Sequence, residues 1–78
     1  MRVLVTGASA SLARAVLPRL CAEPSIERVT GLDLRPPFFV HTKFRALQAD
    51  FRSEEAAALL PEHDALLDTC LRLSKNYL

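Results

Sequence analysis

The sequence lacks an excess of charge of either sign and lacks any long hydrophobic run. Ten basic residues stand against nine acidic ones, which gives a net charge of +1, and the arginines are scattered along the chain. A balanced, dispersed charge argues against binding to nucleic acids or to membrane surfaces. No apolar run approaches the ~20 residues that a membrane-spanning helix requires. We therefore expect a protein with neither nucleic-acid nor membrane partners.

Cysteine is also scarce, with only Cys21 and Cys70 in the chain. A zinc site built from these two with His41 and His63 lacks any closely spaced ligand pair, so we expect no metal and interpret both thiols as reduced, buried side chains.

Three arginines without an acid in the first 22 residues resemble a mitochondrial transit peptide. A strand, a turn and a helix explain those positions better, and we expect a cytoplasmic location.

What the chain does have is enough hydrophobic residues for a folded core. Half of its 78 residues are hydrophobic, which is too many for a disordered tail. Complete domains more often contain roughly 100–150 residues, so we expect one small domain or a piece of one. A core of this size supplies about 3–5 kcal/mol at most.

The order of apolar segments predicts alternating strands and helices. The β-branched run at 3–5 predicts a strand covered on both faces, and apolar residues at helical spacing follow it. Pro18 should kink that helix. Ser53 is a suitable N-cap for a later helix that stops at Pro61. The predicted strands are 3–5, 28–33, 44–49 and a fourth from 64, and the predicted helices are 10–22 and 56–60.

This alternation predicts an α/β fold, the first half of a doubly wound parallel sheet. Right-handed crossovers place the four strands in the order 3-2-1-4. In such a sheet we expect the ligand crevice at the carboxyl ends of strands one and four, and Gly7 and Asp33 both fall at this edge. A tight turn at Gly7 leads directly into the first predicted helix. The N–H groups at the start of such a helix make a site for a pyrophosphate.

Asp33 has the spacing of a ribose-binding acid. It lies 20 positions after Ala13, at the end of the second predicted strand. A carboxylate there favours NAD because it repels the 2′-phosphate of NADP, although Arg35 keeps NADP open. The alternative is that Asp33 only caps the turn before the two prolines.

Three segments together carry a resemblance to a known family. They are Val3-Leu4-Val5-Thr6-Gly7-Ala8, Gly31-Leu32-Asp33-Leu34-Arg35 and Ala49-Asp50-Phe51-Arg52. Over residues 1–67 the chain resembles the N-terminal part of an extended short-chain dehydrogenase/reductase of the NAD-dependent epimerase/dehydratase family. The resemblance implies a phosphate-binding turn, a ribose site and an adenine site. The residues implied are Gly7, Ala8, Ser9, Ala10, Ser11 and Leu12 for phosphate, Asp33 and Arg35 for ribose, and Asp50 and Phe51 for adenine.

The chain also departs from the family pattern. Ala10 and Ala13 replace the second and third glycines, and serine hydroxyls at 9 and 11 could compensate in part. Residues 68–78 form a divergent tail, and no Tyr-x-x-x-Lys pair is present in the sequence. Asp50 could also be a turn former or helix cap. Open apolar strand edges could allow self-association.

We expect a cofactor-binding fragment that does not catalyse a reaction alone, because no general acid or base of the family is present. The parent activity implied by the resemblance is that of an oxidoreductase, with nucleotide-sugar epimerisation or dehydration the leading reaction. Two alternatives stay open. One is a small non-enzymatic module that binds NAD(H) or a protein, and the other is an inactive remnant without a ligand.

The alanine at position 10 gives a first prediction. A positive φ there would cost an alanine roughly 1–2 kcal/mol, so Ala10→Gly should tighten NAD binding about tenfold. Isothermal titration calorimetry of Ala10→Gly and of the control Ala13→Gly measures this difference. Equal affinities for Ala10→Gly and the parent chain would contradict the steric argument.

Overall fold

A computed structural model describes residues 1–9, 11–36, 38–50 and 52–69. Four strands and two helices follow one another along these residues, with a short 3-10 helix before the last strand. The strands are β1 (Arg2–Thr6), β2 (Arg28–Asp33), β3 (Phe44–Gln48) and β4 (Ala65–Asp68). The helices are α1 (Ser11–Ala22), α2 (Glu54–Leu59) and the 3-10 helix (Leu60–Glu62). No helix in these ranges is long and apolar enough to cross a membrane.

The four strands form one parallel sheet in the order β3-β2-β1-β4. The predicted strand order is confirmed, and the arrangement is that of a Rossmann-like half fold. At the carboxyl edge, Thr6 is in register with Leu32 on one side and with Asp68 on the other. This register brings the segment after β1 beside the end of β2.

The two faces of the sheet bury different clusters, because side chains alternate along each strand. Val3, Val5 and Val29 pack with the buried face of α1, while Leu4 and Leu32 pack with Ala56 of α2. The buried face of α1 consists of Ala13, Leu17 and Cys21. It is narrower than the full set of apolar residues in the helix, since Leu12 is 54% exposed.

Local signals account for the limits of α2. The Ser53 hydroxyl accepts a hydrogen bond from Ala56 N at 3.2 Å, as expected of an N-cap. The helical segment does not end at Pro61. The α-helix ends at Leu59, and the 3-10 helix that follows it directly contains this proline. Proline is tolerated there since the first turn of a helix does not need its missing N–H.

A lysine and a cysteine fix the other end of α1. Lys43 Nζ donates to Glu23 O at 3.1 Å and to Ile26 O at 2.8 Å, which joins the start of β3 to the loop after α1. The Cys21 side chain is buried against this region. Burial raises the pKa of its thiol, and the Lys43 charge offsets only part of that rise. Cys21 is therefore a core residue, as the sequence predicts, while Cys70 lies outside the described residues.

Gly31 allows an aromatic ring and a methyl group to pack over the middle of β2. A Cβ at this position would lie 2.6 Å from Phe44 Cε1 and Cζ and 2.8 Å from Ala8 Cβ. Both distances are shorter than carbon atoms tolerate. The close packing of β2 against the turn after β1 therefore requires glycine at position 31.

We predict that Gly31→Ala lowers the free energy of unfolding by about 1–3 kcal/mol, the usual cost of overpacking a core. Urea denaturation monitored by circular dichroism measures the change. The double variant Gly31→Ala/Phe44→Leu should regain part of the loss, because it removes the ring that the new methyl meets. An unchanged midpoint for Gly31→Ala alone would show that the ring moves away freely.

Candidate functional site

The turn after β1 is held against the end of β2 by backbone hydrogen bonds. Gly7 N and Ala8 N both donate to Leu32 O, at 2.9 and 3.3 Å. Gly7 has φ 71°, in the left-handed region that favours glycine. The Thr-Gly dipeptide of the sequence thus ends β1 and turns the chain towards α1.

Asp33, the last residue of β2, lies beside this turn. Its Oδ2 accepts a hydrogen bond from Ser9 N at 3.1 Å, and its Oδ1 accepts one from Arg35 N at 2.9 Å. Arg35 Nε is 3.7 Å from the same Oδ1, with the Asp33 side chain 12% exposed and that of Arg35 69% exposed. The two predicted ribose residues are therefore adjacent, and Asp33 is the less exposed member of the pair.

The surroundings of Asp33 keep its carboxyl group ionised. Burial alone would raise its pKa, but hydrogen bonds from the backbone N–H groups of Arg35 and Ser9 outweigh it, and the Arg35 charge adds to them. The pKa of Asp33 is consequently below its usual value. The Ser9 hydroxyl lowers this pKa as well.

A cavity of about 150 Å³ opens next to Asp33. Gly7, Asp33 and Asp50 all line it, so three predicted site residues from separate parts of the chain meet there. Leu34 and Ala49 supply apolar wall. This cavity lies at the carboxyl ends of β1, β2 and β3, whereas the sequence analysis placed the crevice beside strands one and four.

Asp50 also has the local role that the sequence left open. Its Oδ1 accepts a hydrogen bond from Arg52 N at 2.9 Å and lies 3.6 Å from Arg52 Nε. Its backbone carbonyl accepts from Ser53 N at 2.9 Å, at the start of α2. Asp50 is thus a turn former, and it still borders the cavity.

The remaining predicted residues are placed as follows. Ala8 is 1% exposed, with its methyl group packed against Gly31. Ser9 is partly buried, with a buried and unpartnered hydroxyl oxygen. Ser11 and Leu12 are exposed on the first turn of α1. Ala10 and Phe51, predicted for phosphate and adenine, lie outside the described residues.

Sequence reasoning missed a polar cluster that closes the turn from the side of β4. Thr6 Oγ1 donates to Asp68 Oδ1 at 2.6 Å, and the buried Thr69 Oγ1 lies 2.7 Å from Thr6 O and 2.8 Å from Gly7 O. These residues lie where the family resemblance ends, so the resemblance implies no role for them. The sequence signal for this cluster is the polar pair Asp68-Thr69 at the end of β4. Its first member is in register with Thr6.

Together these groups offer hydrogen-bond acceptors and donors at one edge of the sheet. Asp33 offers an ionised acceptor for hydroxyl groups, and the start of α1 offers N–H donors and a positive dipole for an anion. Among the residues that the structure describes, no cluster of three or more His, Cys, Asp or Glu side chains could hold a metal ion. The arrangement suits a ligand that carries both hydroxyl groups and phosphate.

Comparison with known proteins adds no family assignment. No protein-family model matches the chain, and no curated protein is significantly similar to it.

The lowered pKa of Asp33 predicts how the stability of the protein depends on pH. An aspartate with a folded-state pKa below its unfolded value of about 3.8 stabilises the fold above that value. This contribution is lost as the pH falls through the lower folded-state pKa. We expect the free energy of unfolding to decline with acidification below about pH 5, and to decline less steeply in Asp33→Asn.

Urea denaturation at a series of pH values measures this slope. Asp64, at the opposite edge of the sheet, also has a lowered pKa, because hydrogen bonds from the Arg2 backbone and side chain favour its charged form. Asp64→Asn should therefore flatten the slope as well, and the double variant should flatten it further. A slope identical in the parent and in Asp33→Asn would contradict the prediction.

Proposed function

We propose that this protein binds NAD at the carboxyl edge of its sheet. The observation that carries the proposal is the position of Asp33. Its ionised and largely buried carboxylate ends β2 beside the Gly7 turn, and the same carboxylate lines the adjoining cavity. The carboxylate of Asp33, the turn at Gly7 and the start of α1 have the arrangement expected of a dinucleotide site.

The hydrogen-bonding capacity of Asp33 fits a ribose. Each of its two oxygens accepts one backbone N–H. A carboxylate oxygen can accept two hydrogen bonds, so one position on each oxygen is left for a hydroxyl group. Two neighbouring ribose hydroxyls would match two neighbouring acceptors.

The turn and α1 fit a pyrophosphate. α1 contains 12 residues and follows the turn directly, so its dipole and its first N–H groups face that side. Gly7 has no side chain to obstruct an approaching ligand. The Ser9 hydroxyl, whose oxygen is buried in the same turn, is a further donor.

The cavity beside Asp33 fits the adenine end of the ligand. Its walls include Leu34 and Ala49, which offer apolar contact to a flat ring, and Asp50 offers a carboxylate for an exocyclic amino group. Asp33 would repel the 2′-phosphate of NADP, which supports NAD. The exposed Arg35 side chain beside it moderates that preference.

We further propose that the chain is the cofactor-binding part of an epimerase- or dehydratase-type oxidoreductase. Bound NAD supplies hydride transfer, and the residues described here bind and orient it. The family resemblance makes a nucleotide sugar the leading substrate. A cytoplasmic location and self-association through the open sheet edges stay as predictions from the sequence.

An amide NMR titration of the chain with NAD tests the proposal. We expect saturable shifts at Gly7 and Asp33 because both line the cavity, with weaker binding of NADP. Asp33→Asn should reduce the difference between NAD and NADP, since it removes the charge that opposes the 2′-phosphate. Measured dissociation constants for both ligands and both proteins provide the comparison.

Two controls make the outcome interpretable. Asp64→Asn removes a carboxylate that accepts Arg2 N at 2.7 Å, at the opposite edge of the sheet, and should leave both affinities unchanged. Nicotinamide mononucleotide lacks the adenosine half and should not shift the resonances of Leu34 or Ala49. A folded protein whose amide resonances do not shift on addition of NAD would disprove the proposed function.

A further inference from the structure

Asp33 makes a contact that the binding of ribose does not require. Its Oδ2 accepts the N–H of Ser9 at 3.1 Å, across 24 positions of the sequence. Ser9 belongs to the turn between β1 and α1. The bond therefore joins the end of β2 to the segment from which α1 begins.

This bond completes a row of three consecutive donors held by the end of β2. Gly7 N and Ala8 N donate to Leu32 O, and Ser9 N donates to the Asp33 carboxylate. The first two bonds use a backbone carbonyl, which any residue would supply. The third needs a short side chain with an acceptor at position 33, and a charged acceptor strengthens it.

These three N–H groups are used within the protein, so their role is to fix the turn. The donors left for a phosphate are those of the first turn of α1, whose direction the fixed turn sets. We infer that Asp33 is a positioning residue for an anionic ligand. Its carboxylate holds the turn that presents the start of α1 to a pyrophosphate, separately from any contact with ribose.

The identity of the ligand in this inference rests on the proposed function, but the bond between Ser9 and Asp33 does not. A residue that only accepts ribose hydroxyls would matter for NAD and not for inorganic pyrophosphate. A residue that positions the turn matters for both. Inorganic pyrophosphate therefore separates the two roles.

Asp33→Asn is the informative variant. Asparagine at position 33 carries no charge and has only one oxygen. The bond from Ser9 N is therefore either weakened, because its acceptor is neutral, or replaced by a contact with the NH₂ group, which is itself a donor. Asp64→Asn is the matched control, because Asp64 likewise accepts hydrogen bonds from the backbone and the side chain of one arginine. Its Oδ2 lies 2.7 Å from Arg2 N and 3.5 Å from Arg2 Nε. It does so at the amino edge of the sheet, away from the turn.

The first measurement needs no ligand. We expect the amide proton of Ser9 to shift with pH as the Asp33 carboxyl titrates in the parent chain. In Asp33→Asn that shift should vanish and Ser9 should exchange its amide hydrogen faster, while Asp64→Asn behaves like the parent. A Ser9 amide that neither titrates nor is protected in the parent chain would overturn the inference, even if the variant does not fold.

The second measurement is the affinity for inorganic pyrophosphate by NMR titration. We expect Asp33→Asn to weaken it about tenfold, the effect of losing one hydrogen bond to a charged group, and Asp64→Asn to leave it unchanged. Equal affinity in Asp33→Asn and the parent would overturn the positioning role. A parent chain that binds neither NAD nor pyrophosphate would refute the proposed function, while the Ser9 titration separately decides whether Asp33 fixes the turn.

Discussion

The end of β2 is the point on which the candidate site depends. Leu32 O and the Asp33 carboxylate together accept the N–H groups of Gly7, Ala8 and Ser9, so one strand end fixes the whole turn after its neighbour. This is possible because β1 and β2 are parallel and in register, with Thr6 beside Leu32. Gly31 leaves room for the Phe44 ring and for the Ala8 methyl group of this turn beside β2.

The turn is also held from the opposite side. Thr69 Oγ1 contacts the carbonyls of Thr6 and Gly7, and Asp68 accepts the Thr6 hydroxyl. Gly7 thus lies between hydrogen bonds from the ends of β2 and β4. A turn fixed on both sides needs little rearrangement to bind a ligand, which reduces the entropic cost of binding. The same bonds place the start of α1, which bears the donors proposed for the phosphate groups.

Much of the fold was predictable because its signals are local. The apolar run of β1, the spacing of buried residues in α1 and the Ser53 cap each depend on neighbours in the sequence, and the handedness of crossovers then orders the strands. The exposure of Leu12 was not predictable in this way. Which part of an apolar helix face is buried depends on the elements that pack against it, and in α1 the buried stripe is Ala13, Leu17 and Cys21.

The sequence by itself determined the alternation of strands and helices, the Gly7 turn and the placing of an acid at the end of β2, because these follow from residue type and spacing. Only the tertiary structure decided what Asp33 contacts, that Asp50 borders the same cavity, and that Thr69 closes the turn from β4. Each of these depends on distances between residues far apart in the chain. Such distances are set by strand register and by the packing of whole elements, which no local pattern specifies.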